Sequence, residues 1–239
     1  MIEQKDGWLF LSHSNEDFEP VCQIRNTLEK HGFRPITFFL KCITDKSELD
    51  NLIKREIEAR KWFVYVESEN SKRSNWVQKE REYAEALNKK SFTINLDGNY
   101  TEQLRNIIRR TTVFVSYSQS DETIADSILK ELGNHDFQIR WHPSYLTNDW
   151  PKQMEKMIDT AGTCVLLISN NSVNSHHFRV ESYRAFSQEH TTLAVMIGDV
   201  QLKNGLENYI PELPQVRMSD PPTAQELQSL IQKIIELQG

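Results

Sequence analysis

A carboxylate and an indole four residues apart are the side chains of this 239-residue chain best suited to chemistry. In Ser74-Asn-Trp-Val-Gln-Lys-Glu80 the spacing puts Trp76 and Glu80 on one face of a helix. Ser74 is suited to cap its first turn. A carboxylate held there can stabilise positive charge developing on a sugar, or accept hydrogen bonds from its hydroxyls. An indole beside it offers a flat surface for a ring. The same pattern returns as Ser175-His-His-Phe-Arg-Val-Glu181, with His177 in the place of Trp76. A helical glutamate is ordinarily a solvated surface group, so the elements that aim it decide its use.

Those elements are repeated. Phe10-Leu-Ser-His-Ser-Asn-Glu-Asp17 reappears as Phe114-Val-Ser-Tyr-Ser-Gln-Ser-Asp121, a shift of about 104 that also maps Ile24 to Ile128 and His31 to His135. After a three-residue gap the shift becomes about 101, mapping Ile57 to Ile158, Ser68 to Ser169, Ser74 to Ser175 and Glu80 to Glu181. Ordered matches with a single change of offset mean duplication. In the first copy, strands are expected at Trp8–His13, Pro35–Leu40, Trp62–Val66 and Ser91–Leu96. Helices are expected over Val21–Leu28, ended by Gly32, and from about Asn75. In the second, strands are expected at Thr112–Tyr117, Gln138–Trp141, Cys164–Ser169 and Leu193–Gly198. Its helices are expected over Ile124–Leu132, Trp150–Ala161, from about His177, and over Ala224–Leu237. Short apolar strands alternating with amphipathic helices predict α/β domains with mainly parallel sheets in flavodoxin-like order, 2-1-3-4-5 where complete. A ligand site is then expected at the carboxyl ends of the strands. The first domain is assigned to residues 1–110, cut short, without a full fifth strand and helix. The second is assigned to residues 111–239, with Glu102–Arg110 as the boundary helix.

Composition and missing motifs narrow the field. A net charge of −6 argues against nucleic acid, and Arg105, Arg109 and Arg110 read as a solvated helix end. Cys22, Cys42 and Cys164 are spaced neither as a disulfide framework nor as a metal pair. The adjacent His176 and His177 lack further ligand spacing, so no metal is expected. With no apolar run near the ~18 residues of a membrane span and no leader-like start, a cytoplasmic location without membrane association is expected. Eight glycines, none arranged as GxG, exclude a dinucleotide fingerprint and a P-loop. Strand three ends in Glu67-Ser68 and Ile168-Ser169, excluding a phospho-receiver aspartate, and GxSxG is absent.

What remains is a serine closing strand one, a polar loop and an aspartate, then a serine closing strand three and a helix bearing Ser-x-Trp-Val-x-x-Glu. This combination resembles the Toll/interleukin-1 receptor (TIR) domain family. The resemblance is carried by Phe10–Asp17 with Phe114–Asp121, by Ser74–Glu80 with Ser175–Glu181, and by Leu213-Pro214 ahead of the last helix. Ser74–Glu80 is similar to the helix of NAD-cleaving TIR domains, and bacterial proteins of the Thoeris anti-phage type are the group it resembles. The resemblance implies an NAD glycohydrolase or cyclase that breaks the nicotinamide–ribose bond, giving ADP-ribose or a cyclised signal for a downstream effector. NAD is then a substrate and no cofactor is required. It implies Glu80, and secondarily Glu181, as catalytic carboxylates, with Trp76, His13, Ser12, Ser68, Tyr117, Trp150 and His177 around the substrate. The bland readings are turn formation for the serines and packing for Trp150. The loops after strand two, Lys41–Leu49 and His142–Trp150, are the ones implied to close over the site. Neither copy has the acidic residue the family often carries after strand two, where Lys41 and His142-Pro143 stand. The first copy keeps Trp76 and the second keeps Trp150, so the copies are expected to act together. The family equally implies self-association or binding to other TIR proteins, and a non-catalytic scaffold or adaptor is the alternative function.

Overall fold

The computed structural model describes residues 7–37, 46–135, 137–141, 150–188 and 190–238. Contacts divide the chain into two compact units, with the division falling inside a helix between Ile108 and Arg109.

The first unit runs β1 (Gly7–Ser12), α1 (Phe18–Lys30), β2 (Phe33–Ile36), α2 (Lys46–Ala59), β3 (Trp62–Glu67), a short α3 (Glu69–Arg73), α4 (Asn75–Ala86), β4 (Ser91–Asn95) and α5 (Tyr100–Thr111). Its strands are parallel in the order β2-β1-β3-β4. The second unit runs β5 (Thr112–Ser116), α6 (Glu122–Asn134), β6 (Gln138–Arg140), α7 (Trp150–Asp159), β7 (Thr163–Ile168), α8 (His176–Ser187), β8 (Thr192–Ile197), β9 (Gln215–Met218) and α9 (Ala224–Gln238). Its order is β6-β5-β7-β8-β9, again parallel. Both are α/β units of the expected flavodoxin-like topology.

Duplication holds down to strand register. Leu9 pairs with Trp62 as Val113 pairs with Thr163, and Phe63 pairs with Ser91 as Cys164 pairs with Thr192. These equivalences reproduce both shifts found in the sequence. Because strand side chains alternate, an identical register delivers identical residues to each face. In the first unit Leu9, Leu11, Val64, Val66 and Ile94 face α1 and α5, meeting Val21, Ile24, Leu28, Leu104, Ile107 and Ile108. On the opposite face Phe10, Phe63 and Tyr65 meet Leu49, Ile53 and Ile57 of α2 and Val77 of α4. Burying each such side chain contributes about 1.5–3 kcal/mol, and Val77 thereby holds α4 against the sheet. Gly32 takes φ +78° just beyond α1, a left-handed step that glycine makes without a Cβ penalty.

Three expectations are corrected. Lys41–Leu49 is not loop throughout, since α2 begins at Lys46 and buries Leu49. Its apolar residues Leu49, Leu52, Ile53 and Ile57 recur at helical spacing between charged residues. Strand two starts at Phe33 and ends at Ile36, and residues 38–45, including Cys42, lie outside the described part. The first unit lacks a fifth strand, as expected, but not its last helix. Its closing helix is present: α5 packs on the α1 face as α9 packs on the α6 face. The missing part is the fifth strand with the segment before it, since four residues separate β4 from α5 where 26 separate β8 from α9. In the second unit that segment lays Leu206, Tyr209 and Ile210 over Leu166, Ile168, Ala194 and Met196. In the first, β4 is an edge strand carrying Ser91, Thr93 and Asn95 where β8 carries Thr192, Ala194 and Met196. Gln103 stands in for the lost strand at one rung. Its side-chain carbonyl accepts from Asn95 N at 2.7 Å and its amide donates to Asn95 O at 3.3 Å.

Candidate active site

The carboxyl ends of β1 and β3 lie side by side, and the loops that follow them meet above. Ser74 starts α4 by accepting a hydrogen bond from Val77 N at 3.5 Å, and the helix then carries Trp76 and Glu80 over the end of β1. There Ser12, the last residue of β1, donates to Glu80 Oε2 at 2.5 Å. The second unit repeats this contact, with Ser116 donating to Glu181 Oε2 at 2.5 Å. Burial raises both carboxyls to about 7, and the serine hydrogen bond opposes that rise in each case. Each is therefore near half-ionised at neutral pH, poised to change protonation state.

A second duplicated network fixes the loops. Ser68 donates to Asp17 Oδ2 at 2.5 Å, and Asn70 donates to Asp17 Oδ1 at 2.8 Å. Ser169 and Asn171 bind Asp121 in the same way, at 2.5 and 2.7 Å. Ser68 also caps α3 through a capping box with Ser71. These buried aspartates tie the loop after strand one to the loop after strand three, with every carboxylate oxygen paired.

Above the first unit's network opens a cleft of about 370 Å³, lined by His13, Glu16, Asn70, Arg73, Trp76 and Glu80 among others. His13 Nδ1 meets the Leu11 carbonyl at 2.9 Å, and a carbonyl only accepts, so Nδ1 carries the proton. Burial lowers the His13 pKa against that bond and against Asp17, which keeps the ring neutral at pH 7. A neutral imidazole, an indole and a half-ionised carboxyl thus share one wall. Trp76 and Glu80 also line a neighbouring groove of about 350 Å³ between α2 and α4, floored by Ile53, Ile57 and Tyr83.

The model of the TIR domain matches residues 9–109 and again 113–232. The chain belongs to the TIR domain family. Two TIR units therefore stand in tandem. No curated protein matches the chain. Among solved structures, the chain is similar to the TIR domain of the Toll-related receptor TRR-2 of Hydra magnipapillata, at 10% identity and TM-score 0.40, over 51% of this chain and 96% of that one. It is also similar to a metazoan TIR-STING receptor from C. gigas, solved with 2′,3′-cGAMP, at 21% identity and TM-score 0.40. That match covers 53% of this chain and 38% of the receptor chain.

The TIR units place the expected residues unequally. In the first, His13, Trp76 and Glu80 come together in the cleft, with Ser12 beneath Glu80 and Ser68 deeper, bound to Asp17. In the second, Glu181 is only 5% exposed, His177 is exposed in the first turn of α8, and Tyr117 packs against the α6–α9 core. Trp150 is the first residue of α7, and residues 142–149 together with the Trp150 side chain lie outside the described part. Sequence reasoning missed Asn70, Arg73 and Glu16 as cleft residues. A signal existed for Asn70, because Asn171 repeats it at the shift of the strand-three loop. Cys164 is buried in β7 and its thiol is pushed up to about 12, so it stays protonated. No helix among the described residues is long and apolar enough to cross a membrane.

Proposed function

We propose that the chain cleaves NAD at the nicotinamide–ribose bond, in the first TIR unit, with Glu80 as the principal carboxylate. The observation that carries this reading is the Ser12–Glu80 pair opening onto a cleft with Trp76 in its wall. Nicotinamide departs as a neutral pyridine, taking the electron pair of the broken C–N bond, so the leaving group needs no proton. The cost lies in the cationic ribose left behind, and an ionised Glu80 beside it lowers that cost. Trp76 supplies a face for a ring, and Ser12 holds the carboxylate in one orientation. Water attacking the ribose carbon and losing a proton to solvent gives ADP-ribose, whereas attack from within the substrate gives a cyclised product. NAD is the substrate and no separate cofactor is called for. A role in anti-phage defence follows from the Thoeris-like motif as part of the same proposal. The experiment is incubation of the purified full chain with NAD while nicotinamide release is followed. Release that Glu80→Gln abolishes supports the reading, and release that Glu80→Gln leaves untouched refutes it.

A scaffold role suits the second unit better. It keeps the serine–glutamate pair but closes it in, and presents His177 where an indole would be needed. A TIR unit of that kind is fitted to bind other TIR domains or further copies of this chain.

A further inference from the structure

We infer that Arg73 is the phosphate-recognition residue of the first unit's cleft, so that the substrate class is nicotinamide nucleotides carrying a 5′-phosphate, with the bare riboside disfavoured. This deepens the NAD-cleaving reading of the same cleft and rests on it. Among the described residues that line the cleft, Arg73 alone carries a fixed positive charge. The remaining lining includes the acids Glu16 and Glu80, with His13 held neutral. An anionic substrate entering such a cleft is favoured by a cation, and among the described lining residues Arg73 offers it.

The position suits the task. Arg73 closes α3, immediately before the Ser74 cap of α4, and Glu80 lies on the same helix. At ~1.5 Å of rise per residue, Glu80 is roughly 9 Å along the axis from Ser74. A phosphate about that far from Glu80, at the start of the helix, lies within the reach of an extended Arg73 guanidinium. Arg73 is also uncommitted in energy. Its ion pair with Glu69 is 3.8 Å long, and the two side chains are 79% and 65% exposed. Exposed pairs of that length contribute little, while a guanidinium offers phosphate a bidentate, charge-assisted match. The duplicated unit supplies an internal comparison. The shift that maps Glu80 to Glu181 maps Arg73 to Asn174 and Trp76 to His177. The unit without the indole is also without the cation, as expected if both serve one ligand.

The test uses the full chain as wild type, Arg73→Gln and Arg73→Lys, with kcat/KM measured for NAD, nicotinamide mononucleotide and nicotinamide riboside. In Arg73→Gln the preference for either nucleotide over the riboside is expected to fall roughly ten- to a hundred-fold, with partial recovery in Arg73→Lys. An unchanged preference overturns the inference, as does an equal loss on all three substrates. A second arm does not need turnover: titration of ADP-ribose into Glu80→Gln and into Glu80→Gln/Arg73→Gln, with circular dichroism confirming that both fold. Weaker binding in the double variant supports the assignment of Arg73, and equal or absent binding in both overturns it. Absence of nicotinamide release by the wild type counts against the cleavage reading alone, because the titration still judges Arg73.

Discussion

Removing the Ser12 hydroxyl tests the coupling between strand one and the Glu80 carboxyl proposed as catalytic. In Ser12→Ala the 2.5 Å bond to Glu80 is lost at a position only 1% exposed, where water does not readily replace it. That bond holds the Glu80 pKa down against burial, which alone would carry it above about 7. A hydrogen bond to a charged group contributes about 1.5–3 kcal/mol, and part is retained when the neutral acid accepts from the same hydroxyl. The net difference between protonation states is then about 1.4 kcal/mol, or one pKa unit. At pH 7 the ionised fraction falls from about one half to about one tenth. Nicotinamide release should accordingly drop roughly five-fold at pH 7 and recover toward pH 9, the acidic limb of kcat/KM moving up by about one unit. The assay is nicotinamide release across pH 5.5–9.5, paired with an NMR titration of 13C-labelled glutamate carboxyls. A Glu80 midpoint that stays put or moves down in Ser12→Ala refutes the coupling, whatever the turnover.

Other outcomes follow from the same contacts. Glu181 has its folded-state pKa raised from 4.5 to about 7, so the folded state holds a proton that the unfolded state releases. Its contribution to stability is therefore fullest below pH 4.5 and is lost as pH rises through about 7, a loss of order 3 kcal/mol at most. Glu181→Gln should flatten that slope and raise the denaturation midpoint of the second unit at pH 8, as read by urea melts at pH 5 and pH 8. Equal slopes in both proteins would show that Glu181 is ordinarily ionised. Asp17→Ala leaves Ser68 and Asn70 without their acceptor and should destabilise the first unit by about 2–4 kcal/mol. A change under 1 kcal/mol would show that the network is dispensable. Gln103→Ala should cost about 1–2 kcal/mol by uncapping the β4 edge, whereas Gln103→Glu, which keeps only the acceptor, should recover part of it.

How much of this was readable from the sequence depends on the signal each residue leaves. The duplication was legible because its two offsets reappear as strand register, and the Ser74 cap and the Gly32 stop because their chemistry is local. Trp76 and Glu80 were legible as a pair because helical spacing alone puts them on one face. Their partners were not. Ser12 lies 68 positions from Glu80, and a turn-forming serine and a carboxylate-binding serine have the same local sequence. Asp17 looked like a loop residue, yet it is the buried tie between two loops 51 positions apart. The strand β9 went unplaced because Gln-Val-Arg-Met alternates over only four residues. Arg73 left no signal, since a lone arginine at a helix end is usually solvated and only the cleft gives it a use.

The most direct measurement of the central claim is nicotinamide release from NAD by the intact chain, compared among wild type, Glu80→Gln and Glu181→Gln of matched folding. Release by wild type and Glu181→Gln, with loss of at least a hundred-fold in Glu80→Gln, is the predicted result. Equal release by wild type and Glu80→Gln, with Glu181→Gln inactive, would move the chemistry to the second unit and contradict the account.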